Sequence, residues 1–237
     1  MLPVLFITLT ALSTYFGGLF ALKYVDKNHL LLAFAGGSVL GVCFFDLIPE
    51  SIKYSSNPTQ SVTLVFIGFL IYYFINQVMP ISVPNEDHCE NPLHQLASGA
   101  WPMCLHSIFD GVGIGLAWQT HNLALGIAVS LAIVLHDFCD GISVVCMLQK
   151  ASIIDKFTTQ CWLACDAIAP MVGFLSTYLY TVSNHTMGLC LSLFSGFLLY
   201  IGANFLLPET HHKHSKFNIV FTVLGAAMIY FVIRLAG

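Results

Sequence analysis

Residues 99–119 read GAWPMCLHSIFDGVGIGLAWQ, and residues 123–148 read LALGIAVSLAIVLHDFCDGISVVCML. Each run is long enough to cross a bilayer, for which about 20 apolar residues suffice. Each also carries His-x-x-x-Asp-Gly, first at His106 to Gly111 and then at His136 to Gly141. Positions i and i+4 share one face of a helix. Both predicted helices therefore present an imidazole and a carboxylate together. Only Gln119 to Asn122 separate the runs, so the two helices are expected to be antiparallel neighbours. Their faces would supply two nitrogens and two carboxylates at one depth, a donor set suited to a borderline divalent ion such as zinc.

The rest of the chain has the same character. Of 237 residues, 57% are hydrophobic and only 8% are Asp, Glu, Lys or Arg. Soluble domains carry roughly 25% charged residues. Mean hydropathy is +0.81. This composition excludes a soluble enzyme and a disordered segment. The 8 Lys and Arg against 12 Asp and Glu leave no basic footprint for nucleic acid. The expected fold is an all-α polytopic membrane protein, one domain over 1–237, in contact with the lipid bilayer.

Turn and charged residues divide it into eight spans, at about 2–22, 30–49, 61–79, 99–119, 123–148, 158–180, 187–207 and 217–236. The stretch from Met1 to Leu22 lacks a basic start and a small-residue cleavage site, and reads as a first span. The odd loops hold Lys23, Lys27, Lys150, Lys156, Lys213 and Lys216. The even side holds Lys53 and Arg234. The positive-inside rule then places the odd loops in the cytoplasm and both termini outside. Seven of the eight cysteines lie in apolar runs and only Cys89 lies in a polar loop, so no disulfide framework is expected.

An internal repeat accompanies the spans. Ala35 to Ser51 reads AGGSVLGVCFFDLIPES, and Phe194 to Thr210 reads FSGFLLYIGANFLLPET. The copies fall in spans 2 and 7, which cross in opposite directions. Such inverted repeats are typical of secondary transporters. Apolar helices ending in Pro-Glu also arise by chance.

Five acids are candidates for burial: Asp46, Asp110, Asp137, Asp140 and Asp166. A charge at the bilayer centre costs about 2.5–3.5 kcal/mol even on lenient scales. No Lys or Arg lies in the middle of a span. The acids are either protonated or neutralised by a bound cation. A lone buried histidine is more often structural than liganding, but two matched His/Asp faces without a countercation point to a metal site. Ser107 and Asp137, one residue past each histidine, lie about 100° round their helices and could complete an adjacent oxygen-rich site. Gly111, Gly113, Gly115 and Gly141 suit close helix approach.

These motifs resemble the ZIP family of divalent metal transporters, and within it the compact GufA-like bacterial branch. His106 to Gly111 is similar to that family's His-Asn-x-Pro-Glu-Gly in span 4. His136 to Gly141 is similar to its acidic motif in span 5. Pro208-Glu209-Thr210-His211 is similar to the end of its span 7. The resemblance implies uptake of a divalent metal into the cytosol across a cell membrane. It implies a 3+2+3 bundle with inverted symmetry, an elevator-like movement and a possible homodimer. His106, Asp110 and Asp140 would be primary-site ligands, with Ser107 and Asp137 in a second site. The metal, zinc foremost with iron, manganese or cadmium as possibilities, would be cargo. No organic cofactor and no enzymatic role are implied.

There are departures. Ser107 replaces an asparagine, Asp110 and Asp140 replace glutamates, and Phe109 and Cys139 replace prolines. Ala169 stands where many members have glutamate, with Asp166 about one turn earlier as a substitute. Asp46, Glu50 and Glu209 are candidates for the mouths of a pathway, or for plain helix-end residues. The loop with Glu86, Asp87, His88, Cys89, Glu90 and His94, and the tract His211, His212 and His214, read as weak metal sites or as solvated loops. An intramembrane zinc-dependent hydrolase is the alternative function, since zinc on His and Asp also activates water. A metal-gated sensor is a third.

Overall fold

The computed structural model describes residues 2–24, 28–55, 57–78, 100–119, 121–150, 155–179, 183–207 and 216–236. Among them the chain forms helices and no strand. Helix α1 spans Leu2–Lys23. Helix α2 starts over Asn28–Val42, widens to π geometry over Cys43–Leu47 and resumes over Ile48–Tyr54. Next come α3 (Pro58–Val78), α4 (Ala100–Gln119), α5 (Leu123–Lys150) and α6 (Lys156–Leu179). Helix α7 covers Asn184–Tyr200 and ends in a π segment over Ile201–Leu206, and α8 is Lys216–Ala236.

Seven of these helices are long and apolar enough to cross a membrane. The eighth, α4, has 20 residues. Its His106, Asp110 and Gln119 lower its hydropathy, so the helix with the weakest membrane signal carries the first motif. The polar loop 79–99, Glu209 and the tract at 211–214 lie outside the described residues.

The two π segments share a sequence feature. Ile48 N–H bonds to the Cys43 carbonyl, and Leu207 N–H bonds to the Gly202 carbonyl, both five residues back. Each is followed in sequence by a proline, Pro49 or Pro208. Proline has no N–H, and its ring crowds the carbonyl four residues earlier. A wider turn relieves that clash without ending the helix. Hydropathy alone stops span 2 at Pro49-Glu50, whereas the helix continues to Tyr54. The two π segments fall at matching positions of the two repeat copies.

Packing sorts the helices into two sets. One contains α1, α4, α5 and α6, and the other α2, α3, α7 and α8. Glycine sets the close approaches within each. A Cβ on Gly17 would strike the Phe138 carbonyl, and one on Gly141 the Thr14 carbonyl, joining α1 to α5. Gly111 and Gly173 do the same between α4 and α6, against Pro170 and Ile108. In the other set Gly37 abuts Thr222 and Gly68 abuts Leu193. Every described glycine whose Cβ would meet another helix meets one of its own set.

The sets meet where α5 packs against α2 and α8, and where α4 meets α7. Phe109 of α4 meets Phe194 of α7 with centroids 4.9 Å apart. Cys139 Sγ of α5 lies 3.8 Å from Met228 Sδ of α8. Helix α5 is the most enclosed element, with every residue from Cys139 to Leu148 buried. Both carboxylate-bearing faces therefore meet deep in the molecule.

Candidate metal centre

The turn after α4 is tight because His121 adopts a left-handed conformation (φ 56°). Asn122 then caps α5, its Oδ1 accepting from Leu125 N–H at 3.2 Å. This reversal brings the two His-x-x-x-Asp faces together.

Four side chains converge. His106 Nε2 lies 3.3 Å from Asp110 Oδ2 and 3.7 Å from Asp140 Oδ2. His136 Nε2 lies 3.5 Å from Asp110 Oδ2 and 3.9 Å from Asp140 Oδ2. One ligand atom from each of His106, Asp110, His136 and Asp140 falls within 4.8 Å of the other three. A tetrahedral ion with bonds of about 2.0–2.1 Å sets its ligands about 3.4 Å apart. The imidazole–carboxylate spacings of 3.3 to 3.9 Å lie near that value, and all four atoms fall within 4.8 Å of one another.

The electrostatics agree. All four residues are buried, with Asp110 the most open at 7%. His106 Nε2, Asp110 Oδ2, His136 Nε2 and Asp140 Oδ2 are the facing atoms, and none has a hydrogen-bond partner. Buried polar atoms without partners are few in native structures, and an unfilled ion site is one reason for them. His136 Nδ1 sits 3.1 Å from the Ala132 carbonyl. A carbonyl only accepts, so Nδ1 bears a proton and Nε2 of the neutral ring turns its lone pair inward. Metal-binding histidines are commonly oriented this way. No Lys or Arg occurs in sequence between Lys53 and Lys150, a stretch that includes both helices.

The other expected site residues lie beside this group rather than in it. Asp137 Oδ1 is 3.8 Å from His136 Nε2, and neither carboxylate oxygen of Asp137 has a partner. Ser107 Oγ donates to Asp166 Oδ1 at 2.8 Å, tying α4 to α6. Asp166 is fully buried, and its Oδ2 is unpartnered. Cys139 turns toward Met228 and away from the centre. The seven described cysteines are free.

Asp46 is half-buried on the π segment of α2. It is close enough to His136 and Asp110 to interact with them electrostatically. Glu50 lies one turn further along the same helix. The sequence gives no motif that singles out Tyr72, Asn76 or Tyr200. Packing brings these three together, and Asn76 Nδ2 donates to Tyr200 Oη at 2.9 Å.

A helical bundle with seven to eight membrane-length helices and a buried His/Asp group defines a multi-pass membrane protein with a candidate metal site. A model of the ZIP zinc transporter family matches residues 100–233, and the chain belongs to that family. The match includes both motif helices and runs on into α8. No curated protein matches the chain.

Proposed function

We propose that this chain carries a divalent metal ion, zinc foremost, into the cytosol by alternating access through His106, Asp110, His136 and Asp140. The convergence of four buried metal-donor atoms, with no Lys or Arg on either helix between Ala100 and Gln149, carries this reading. Each carboxylate needs a positive partner at this depth, and the cargo supplies it. Two nitrogens and two oxygens near tetrahedral spacing suit zinc, with geometry and metal availability rather than raw affinity setting its preference over other divalent ions.

The division into two helix sets supplies the moving parts. The set of α1, α4, α5 and α6 holds all four ligands and is joined internally by backbone contacts at glycine. The set of α2, α3, α7 and α8 meets it through rings and sulfur atoms. Such side chains slide past one another at lower cost than interlocked backbones. Movement of the ligand-bearing set exposes the centre first to one face and then to the other. Asp46 and Glu50 line the outer approach. Asp137, Ser107 and Asp166 form a second, oxygen-rich position beside the first. The matching π segments at Pro49 and Pro208 support an inverted repeat within a 3+2+3 arrangement. We place the chain in a cell membrane with both termini outside, in the GufA-like branch and as a homodimer.

The hydrolase alternative has no support. Four donors fill a tetrahedral shell, whereas zinc hydrolysis keeps one position open for water. The chain also belongs to a transporter family.

The test is metal uptake by sealed proteoliposomes offered zinc, cadmium, iron(II) and manganese. Wild type is expected to take up zinc. Asp110→Ala and Asp140→Ala are expected to lose uptake and to weaken binding on the order of 100-fold, about 2.8 kcal/mol. Tight binding without uptake in wild type would sink the proposal.

A further inference from the structure

Two buried oxygen atoms lie unpaired away from the metal centre, at the opposite end of the helices from Asp46. Tyr72 is 2% exposed, and its Oη has no hydrogen-bond partner. Asn76 Oδ1, one turn further along α3, has none either. The Asn76 amide is already committed on its other side, donating to Tyr200 Oη. Aromatic faces surround the group. Trp101 stacks on Tyr72 with centroids 6.1 Å apart and planes at 24°. Tyr72 and Tyr200 are 5.5 Å apart, and Trp101 meets Phe197 at 5.7 Å.

The cluster sits on the seam between the two helix sets. Trp101 belongs to α4, five residues before His106, or about 7.5 Å along the axis. Tyr72, Asn76 and Tyr200 belong to α3 and α7. Trp101 lies about 140° round α4 from His106, on the face that meets α3 and α7.

We propose that Tyr72, Asn76 and Tyr200, flanked by Trp101, form a weak way-station for a hydrated divalent cation between the His106–Asp140 centre and the side of the molecule where α3 ends and α4 begins. This rests on the transport reading above. Two observations support it. Unpaired buried oxygens call for an ion or an ordered water. The bond from the Asn76 amide to Tyr200 Oη holds Oδ1 in a fixed orientation. The donors are neutral hydroxyl and amide oxygens, in contrast to the carboxylates of the centre. A site meant to let an ion go needs weak donors, and these are weak.

The experiment pairs a crystallographic with a kinetic readout. Crystals of the full chain soaked in millimolar Mn2+ are expected to show an anomalous peak beside Tyr72 Oη and Asn76 Oδ1. Tyr72→Phe deletes that oxygen and keeps the ring. It is expected to remove the peak and to lower the maximal uptake rate about fivefold, the scale of one lost polar contact. Equilibrium zinc binding at the centre stays unchanged. Tyr178→Phe, on the exposed face of α6, keeps the wild-type rate. A water without anomalous signal at Tyr72, or a Tyr72→Phe chain with wild-type maximal rate, overturns the proposal. Wild type that moves no metal overturns the transport reading instead, and the anomalous peak still decides whether a cation binds here.

Discussion

The seams inside the two helix sets and the seam between them are built from different chemistry. Inside a set, glycines let backbones touch: Gly141 against the Thr14 carbonyl, Gly111 against the Pro170 carbonyl, Gly196 against the Val65 carbonyl. Lipid tails are as apolar as leucine, so close van der Waals contact takes the place of hydrophobic burial between membrane helices. Between the sets the contacts are Phe109 on Phe194, Trp101 on Phe197, and Cys139 near Met228. Rings and thioethers are adaptable surfaces. One kind of seam fixes geometry, and the other tolerates displacement. The four candidate ligands all lie within one set, so a displacement of that set leaves their mutual distances intact.

The largest effect expected is at a tight seam. Gly111→Leu places a side chain where the Pro170 carbonyl already stands. Relief requires α4 and α6 to part, and the loss of stability should reach about 3 kcal/mol. A thermal melt followed by size-exclusion chromatography in detergent would read it. A variant as stable as wild type would show that this contact does not fix the set.

A cross-link attacks the looser seam. Met228→Cys puts a thiol opposite Cys139, whose sulfur now lies 3.8 Å from Met228 Sδ. Mild oxidation is expected to stop zinc uptake in proteoliposomes, and reductant to restore it. Met228→Cys in a Cys139→Ser background is expected to respond to neither. Uptake that persists after complete oxidation would mean that the two sets need not move relative to each other.

The smallest effect is expected at neither seam but at the exposed start of α6. The Asp155 carboxylate accepts from Thr158 N–H at 2.8 Å and from the Thr158 hydroxyl at 2.9 Å. Those bonds, the backbone one first, hold its pKa below the ordinary carboxylate value. A depressed folded-state pKa stabilises above the unfolded value and is lost as pH falls through the folded one. Asp155→Ala should therefore cost a little stability at neutral pH and none in strong acid. A difference between the two melting temperatures that grows on acidification would contradict this.

Much of the site is legible in the sequence because it depends on local spacing. His106 and Asp110, like His136 and Asp140, share a helix face by the four-residue interval, and the short loop at 119–122 brings the faces together. Seven helices of membrane length and hydropathy follow from composition. Other features are not written locally. Pro49 looks like a stop, yet α2 continues because a π turn absorbs the missing donor. Ser107 reads as a weak metal donor, and only packing directs its hydroxyl proton to Asp166, 59 residues away in sequence. Cys139 reads as a soft ligand if it faces inward, and the structure turns it to α8.

The sequence alone determined the membrane class, the two motif faces and the lack of Lys or Arg near them. Composition and helical periodicity act over one or two turns, and those features need nothing more. Only the tertiary structure decided which helices share a set, that one set holds all four candidate ligand residues, and that Tyr72, Asn76 and Tyr200 meet beneath Trp101. Those outcomes depend on which surfaces pack together across many tens of residues, and no local pattern encodes that choice.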